Sequence, residues 1–438
     1  MTTPTSAAPT LRRVAGLALP ALVVLAAEPL YVLVDTAVVG HLGRTPLASV
    51  AIGGQVLTVA AWLGTVLAYG TTGRSARRYG AGDRAGAVAE GVQASWLALA
   101  AGLLIAVGAQ VFADPLARTL AGNNPDVAAA AAHWLRVAAL GAPGLLLATA
   151  GNGWMRGVQD TRRPMYYVLG ANLLSAAACP TLVYGLHLGL IGSAIANAGA
   201  QTLSGALFVR ALVAERVSLR PHPAVLRRQL VLGRDLLLRG AAFQASFLSA
   251  AAVAARFGAA ALAAHQIALQ LWFFCALVLD AVAIAAQSLV GAALGAGEDE
   301  QAKALARRIT VIGLVSGAVF AAVIGAGAGV LPKLFTSDPQ VFAQAMRAWP
   351  WFAGMLPLAG VVFALDGVLI GAGDVRYMRN LTVVATLGGF LPAIWLAYWL
   401  HLGLAGVWAG LTLFIVIRLV GLLARMRSGR WAVVGATR

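Results

Sequence analysis

Four carboxylates stand where a carboxylate is costly. Glu28, Asp35, Asp280 and Asp366 each fall inside a run of apolar residues. Near the middle of a membrane-spanning helix an Asp costs about 2.5–3.5 kcal/mol on insertion scales. An ionisable residue so placed faces a bundle interior or a wet cavity and marks an ion or proton path. The first two share one segment, "LAAEPLYVLVDTAVVGHLG" (25–43). Seven residues put them on one helix face, separated by roughly 10 Å along the axis. That is too far to share a proton and near enough to line one cavity. No Lys or Arg lies within the apolar span at 14–39 to neutralise them, so each is a group that can load and release a proton. Pro20 and Pro29 each remove one helical hydrogen bond and let the helix bend beside the titrating groups.

Uncharged polar residues recur inside the apolar runs of the same half: Gln55, Asn152, Asn172, Ser175, Asn197 and Gln201. Such residues either meet a substrate or tie helices together at about 0.6 kcal/mol per bond, and the sequence leaves both readings open. In "AAHQIALQLW" (263–272), His265 at a span end reads as a structural hydrogen-bond donor. Trp62, Trp96, Trp272 and Trp395 are suited to stacking on an organic cation, or to anchoring and packing. GxxxxGK[ST], HExxH and a Ser/His/Asp order in polar context are all missing. The chain therefore reads as no enzyme and no ATPase, with no cofactor and no metal site.

These groups must be positioned by helices in lipid. The chain is 60% hydrophobic and 11% charged, with mean hydropathy +0.82, against roughly 25% charged residues in soluble domains. Apolar blocks of about 20 residues, each able to cross a hydrocarbon core of about 30 Å, predict an all-α polytopic membrane protein. Twelve spans are read at 14–39, 47–70, 87–112, 130–150, 164–185, 190–213, 236–256, 264–293, 305–330, 345–370, 380–400 and 404–424. The +16 net charge comes from 32 basic residues, mostly Arg in short connections, with no basic stripe interleaved with aromatics, which excludes a nucleic-acid partner. Cys179 and Cys275 both lie in apolar blocks, so no disulfide framework is expected. The opening "MTTPTSAAPTLRR" reads as a short polar tail. Connections on one side carry 24 Lys and Arg and those on the other six, which predicts that both termini are cytoplasmic.

The two halves repeat. "GVQDTRR" at 157 returns as "GAGDVRY" at 371, "HLGLIGSA" at 187 as "HLGLAGVW" at 401, and "NPDV" at 124 as "DPQV" at 338, all offset by 214. "YGAGD" at 79 returns as "LGAGE" at 294, offset by 215. Two pseudo-symmetric six-helix bundles are expected, at 1–213 and 236–438, joined by a basic linker at 214–235 that suits a cytoplasmic surface facing anionic lipid.

"LVDTAVVGHLG" (33–43), "YGAGD", "RGVQDTRRP" (156–164), "AAHQIALQ" (263–270), "LDGVLIGAGD" (365–374) and the paired "HLGL" loops resemble the MATE (multidrug and toxic compound extrusion) transporters. Within them they are most similar to the branch named after the DNA-damage-inducible protein F. The resemblance covers essentially the whole chain. It implies twelve helices in two V-shaped bundles and outward movement of amphipathic, often cationic compounds in exchange for protons or sodium. It also implies that Asp35 is the proton-coupling acid of helix one and Pro20 the point where that helix bends. Asn152, Ser175, Cys179 and Asn197 match the polar cluster of the N-terminal bundle. Where relatives commonly carry Asn and then Asp, this chain has Ser175 and Cys179. The missing second carboxylate argues against a shared-proton pair and a tight sodium site. Asp366 and Asp280 match acidic positions of the branch.

The expected function is a secondary antiporter that exports amphipathic or cationic drugs or metabolites against proton influx. Asp35 is the coupling carboxylate and Glu28 its helper. Gln55, Asn152, Asn172, Ser175, Cys179 and Asn197 meet substrate. Sodium coupling through Asp280 or Asp366 is one alternative, and a lipid or lipid-linked oligosaccharide flippase another. A flippase would want a basic central cavity, and only Arg239 and Arg418 lie within spans away from their ends. The expected partners are a small molecule, protons and the bilayer of the cell membrane, with a monomer sufficient.

Overall fold

The structure, a computed structural model, describes residues 11–122 and 124–437. The polar tail lies outside the described residues except for Leu11 to Arg13, which already belong to the first helix. Among the described residues the chain makes twelve helical passes. These are α1 (Leu11–Gly40), α2 (Arg44–Gly80), α3 (Arg84–Ala121), α4 (Pro125–Gly157), α5 (Arg162–Gly185), α6 (Gly189–Ala214), α7 (Pro223–Arg256), α8 (Ala259–Gly295), α9 (Asp299–Ala326), α10 (Pro339–Gly371), α11 (Val375–Trp399) and α12 (Gly403–Arg427). Eleven are long and apolar enough to cross a membrane. The exception, α6, has the length at 26 residues, but Ser193, Asn197, Gln201 and Ser204 lower its hydropathy.

Three passes are irregular where the sequence places Pro or Gly. A 3-10 turn at Ala139–Gly141 interrupts α4 ahead of Pro143. A π turn at Thr181–Gly185 ends α5 after Pro180, and a π stretch at Ala385–Phe390, rich in Gly, lies within α11. The linker read at 214–235 is shorter than expected as a connection. Helix α7 starts at Pro223, so only 215–222 joins it to α6. Hydropathy missed those first turns because they are rich in Arg.

Three helix starts within the repeated motifs are capped by side chains. The side chains of Asp83, Asn124 and Asp338 accept from Gly86 N, Val127 N and Gln340 N, each satisfying a donor the helix leaves open. The repeat also extends to backbone conformation. His187 (φ 53) pairs with His401 (φ 55), and Gln159 (φ 65) with Gly373 (φ 73), at the same offset of 214. Helices pack closely through small residues. Gly144 of α4 meets Gly205 of α6, and Gly313 of α9 meets Gly360 of α10, so closely that a Cβ would strike the facing backbone.

The chain forms two compact units. One is Leu19–Gly233; the other combines the segment up to Ala18 with Arg234–Arg438. Helix α1 therefore passes from one unit to the other immediately before Pro20, and the 215–222 connection belongs to the first unit.

Candidate functional site

Asp35 lies on α1 beyond both prolines and is only 5% exposed. Its Oδ1 accepts two hydrogen bonds, from Ser193 Oγ of α6 at 2.6 Å and from Cys179 Sγ of α5 at 3.3 Å. Ser193 in turn accepts from Nε1 of the buried Trp134 at 3.3 Å, which leaves its own hydroxyl hydrogen directed at the carboxylate. Among the described residues, Oδ2 accepts no hydrogen bond and no cation pairs with Asp35. One turn earlier, the buried Tyr31 hydroxyl points toward Ser175 and Asn197 without closing a hydrogen bond to either. Ser175 gives its hydroxyl to Ala196 O at 3.0 Å. One turn later, the Tyr184 hydroxyl donates to Val38 O. Past Pro20, α1 is thus held to α5 and α6 by polar bonds at positions 35 and 38.

A cavity of about 220 Å³ opens within the same unit. Its polar lining includes Glu28, Asn152, Asn172, Gln201 and Arg156, with Thr65, Tyr69, Thr149 and Ser204, set among apolar side chains such as Leu25, Leu145 and Val168. Glu28 Oε2 accepts a long hydrogen bond from Gln201 Nε2, 3.4 Å. Asn152 is 6% exposed and its Oδ1 has no partner among the described residues. Arg156 is buried and engaged in an interaction of its own.

The structure therefore divides what the sequence grouped. Glu28 lines the cavity and Asp35 does not, which corrects the expectation that both line one space. The two turns of helix between them carry Asp35 into the polar contact with α5 and α6. Asn152 and Asn172 go with the cavity. Cys179 goes with Asp35, with Ser175 and Asn197 nearby around Tyr31. Gln55 is exposed on α2 and belongs to neither group.

In the second unit Asp366 is fully engaged. Arg239 Nη2 of α7 donates to its Oδ2 at 2.5 Å. Arg418 Nη2 of α12 reaches Oδ1 at 2.8 Å and Oδ2 at 2.6 Å. The Arg418 guanidinium also lies over the Phe243 and Phe414 rings, 4.8 and 5.6 Å from their centroids. Asp280 is half-buried on α8 and has an interaction of its own. His265, expected as a structural donor, has no hydrogen-bond partner at either ring nitrogen among the described residues. Among the described residues it packs instead edge-on to Trp408, 5.8 Å between centroids.

Sequence reasoning missed Ser193, Trp134, Tyr31 and Tyr184. Ser193 had a signal, because the repeat puts Val407 at its equivalent position in the second half. Tyr31 lies four residues before Asp35 and so on its face. Gly53 of α2 supports the group from outside. A Cβ there would fall inside the Trp134 ring's contact distance. Gly53→Ala should displace Trp134, loosen Ser193, cost about 1–3 kcal/mol by overpacking, and slow transport. Thermal melting and a transport assay on the variant check this; unchanged values in both would show that Trp134 does not support the site.

The comparisons agree with this architecture. The sequence model of the MatE family matches residues 20–181 and again 236–398, one match in each half. The chain is 33% identical over 439 residues to Protein DETOXIFICATION 44, chloroplastic, of Arabidopsis thaliana, covering 96% of this chain and 83% of the relative. It is also 33% identical over 433 residues to DNA damage-inducible protein F of Escherichia coli K12, covering 95% and 92%. A crystal structure of MATE in the bent conformation shares the fold with TM-score 0.88 at 24% identity, over 96% of this chain and 95% of the other. Matched in both halves and along nearly its whole length, the chain belongs to the MatE family of multidrug and toxic compound efflux transporters.

Proposed function

We propose that the protein is an antiporter that moves an amphipathic cation outward across the cell membrane in exchange for protons, with Asp35 as the coupling carboxylate. The observation that carries this is the state of Asp35: buried, bonded through Oδ1 alone, and without a cationic partner among the described residues. A proton taken up at Oδ2 turns the carboxylate into a neutral acid. Hydrogen bonds to a charged acceptor are roughly twice as strong as neutral ones. Protonation therefore weakens the hold of Ser193 and Cys179 on α1. The weakened contacts lie beyond Pro20 and Pro29, where the helix can bend, so a change of charge becomes a change of shape. A substrate whose affinity differs a hundredfold between the two states needs about 2.7 kcal/mol.

Substrate fits the separate cavity. Glu28 supplies the counter-charge, Asn152 Oδ1 an open acceptor, and the apolar walls take the lipophilic body. Glu28 is then a recognition group rather than a helper in proton transfer. Glu28→Gln should raise KM for a monovalent organic cation about tenfold, equivalent to about 1.4 kcal/mol, and leave a neutral amphipath unaffected. Transport kinetics for the two compounds check this, and equal effects on both would remove Glu28 from recognition.

The donor set favours protons over sodium. Around Asp35 stand one carboxylate, one hydroxyl and one thiol, whereas hard cations select oxygen ligands. Asp366 is taken by two arginines. The Lys and Arg asymmetry supports both termini on the cytoplasmic side, and two complete halves in one chain make a monomer sufficient. Purified protein in liposomes tests the reading. Export of a fluorescent lipophilic cation should follow an imposed pH gradient and ignore a sodium gradient; the opposite pattern would replace protons by sodium.

A further inference from the structure

The connection between α6 and α7 is held down along one face of α3. Trp96 Nε1 donates to Leu219 O at 2.8 Å. The Gln93 side chain donates to Arg220 O at 3.0 Å and accepts from His222 N at 2.8 Å. Gln229 Nε2, in the second turn of α7, donates to Glu90 O at 3.0 Å and Oε2 at 3.1 Å. Glu90, Gln93 and Trp96 follow one another on successive turns of α3, so the segment is fixed through its backbone and one amide. Its charged side chains are left over. Arg216, Arg220, Arg227 and Arg228 are all exposed, and none has an ion-pair partner among the described residues. Neighbouring arginines differ: Arg74 and Arg78 bind Glu90, and Arg84 binds Glu215. Leu219 stands among the four and Leu230 and Val231 just after them, exposed by 43%, 57% and 47%.

Depth supplies the partner. The 38 residues of α3 span about 57 Å, well beyond a hydrocarbon core of about 30 Å. The first turns of α3, and the segment bound along them, therefore sit at headgroup level. Trp96, 42% exposed and hydrogen-bonded at its indole nitrogen, is a typical interface residue.

We propose that residues 216–231 form a docking platform for anionic phospholipid headgroups, with Arg216, Arg220, Arg227 and Arg228 holding phosphate oxygens and Leu219, Leu230 and Val231 resting in the outer acyl layer. Guanidinium groups bind phosphate oxygens in pairs. A soluble anion would leave the three apolar side chains in water, and a zwitterionic headgroup would leave the positive charge uncompensated. The proposal depends on the protein being membrane-embedded and not on how transport is coupled.

Native mass spectrometry of the full chain in detergent, with phosphatidylglycerol or phosphatidylcholine added, reads it directly. Wild type should retain phosphatidylglycerol at least tenfold over phosphatidylcholine. The exposed pair Arg227→Gln/Arg228→Gln should reduce that preference at least fivefold. The charge-matched pair Arg307→Gln/Arg376→Gln, also exposed and without an ion pair among the described residues, should stay within twofold of wild type. Absence of a headgroup preference, or equal losses in the two pairs, would overturn the platform. Displacement of the lipid by millimolar inorganic phosphate would overturn it too, in favour of a simple anion site.

Discussion

Asp35→Asn should reduce proton-driven export roughly a hundredfold, the factor that corresponds to about 2.7 kcal/mol of lost coupling, while the protein still folds and inserts. Asn has nearly the same shape, and its carbonyl oxygen can still accept from Ser193 and Cys179. Its amide nitrogen then takes the place of Oδ2, which accepts no hydrogen bond among the described residues. The titration is removed while the Oδ1 contacts can remain. Transport by proteoliposomes, with melting of the same preparation as a control, separates the possibilities. A purely structural Asp35 would show in the melt, and a coupling Asp35 in the transport.

Asp366→Asn should behave in the opposite way. It leaves the buried Arg418 and the half-buried Arg239 with no anion between them, and breaking a buried charge pair costs about 3–5 kcal/mol. Expression and melting temperature should fall sharply. Arg418→Met should be milder, because one guanidinium and one carboxylate remain paired. Comparative melting of the two variants checks the order. A stable Asp366→Asn protein that had lost only its ion dependence would make Asp366 a coupling site, and the assignment of the proton to Asp35 would fail.

Much of this was legible in the sequence. The apolar blocks became helices because a continuous apolar run of about 20 residues can satisfy its backbone groups in lipid only within itself. The 214-residue repeat survived even as paired left-handed residues such as His187 and His401. What was lost depended on contacts distant in sequence. Asp366 looked like a free intramembrane acid because its arginines lie 127 and 52 residues away. Glu28 and Asp35 looked like cavity partners because helical spacing fixes a face, while the neighbours at each depth are chosen by α5 and α6. The first turns of α7 were hidden because an Arg-rich stretch of helix carries no hydropathy signal. His265 looked like a donor from its residue type, and only the packing against Trp408 shows its aromatic use.

The most direct test of the coupling claim is proton release on substrate binding. A saturating lipophilic cation is added to purified protein in weakly buffered detergent solution at mildly acidic pH, and the released protons are counted. Wild type should release up to about one proton per chain, as binding favours the charged carboxylate, and Asp35→Asn should bind the cation without release. Equal proton release from both proteins would contradict the assignment of the coupling proton to Asp35.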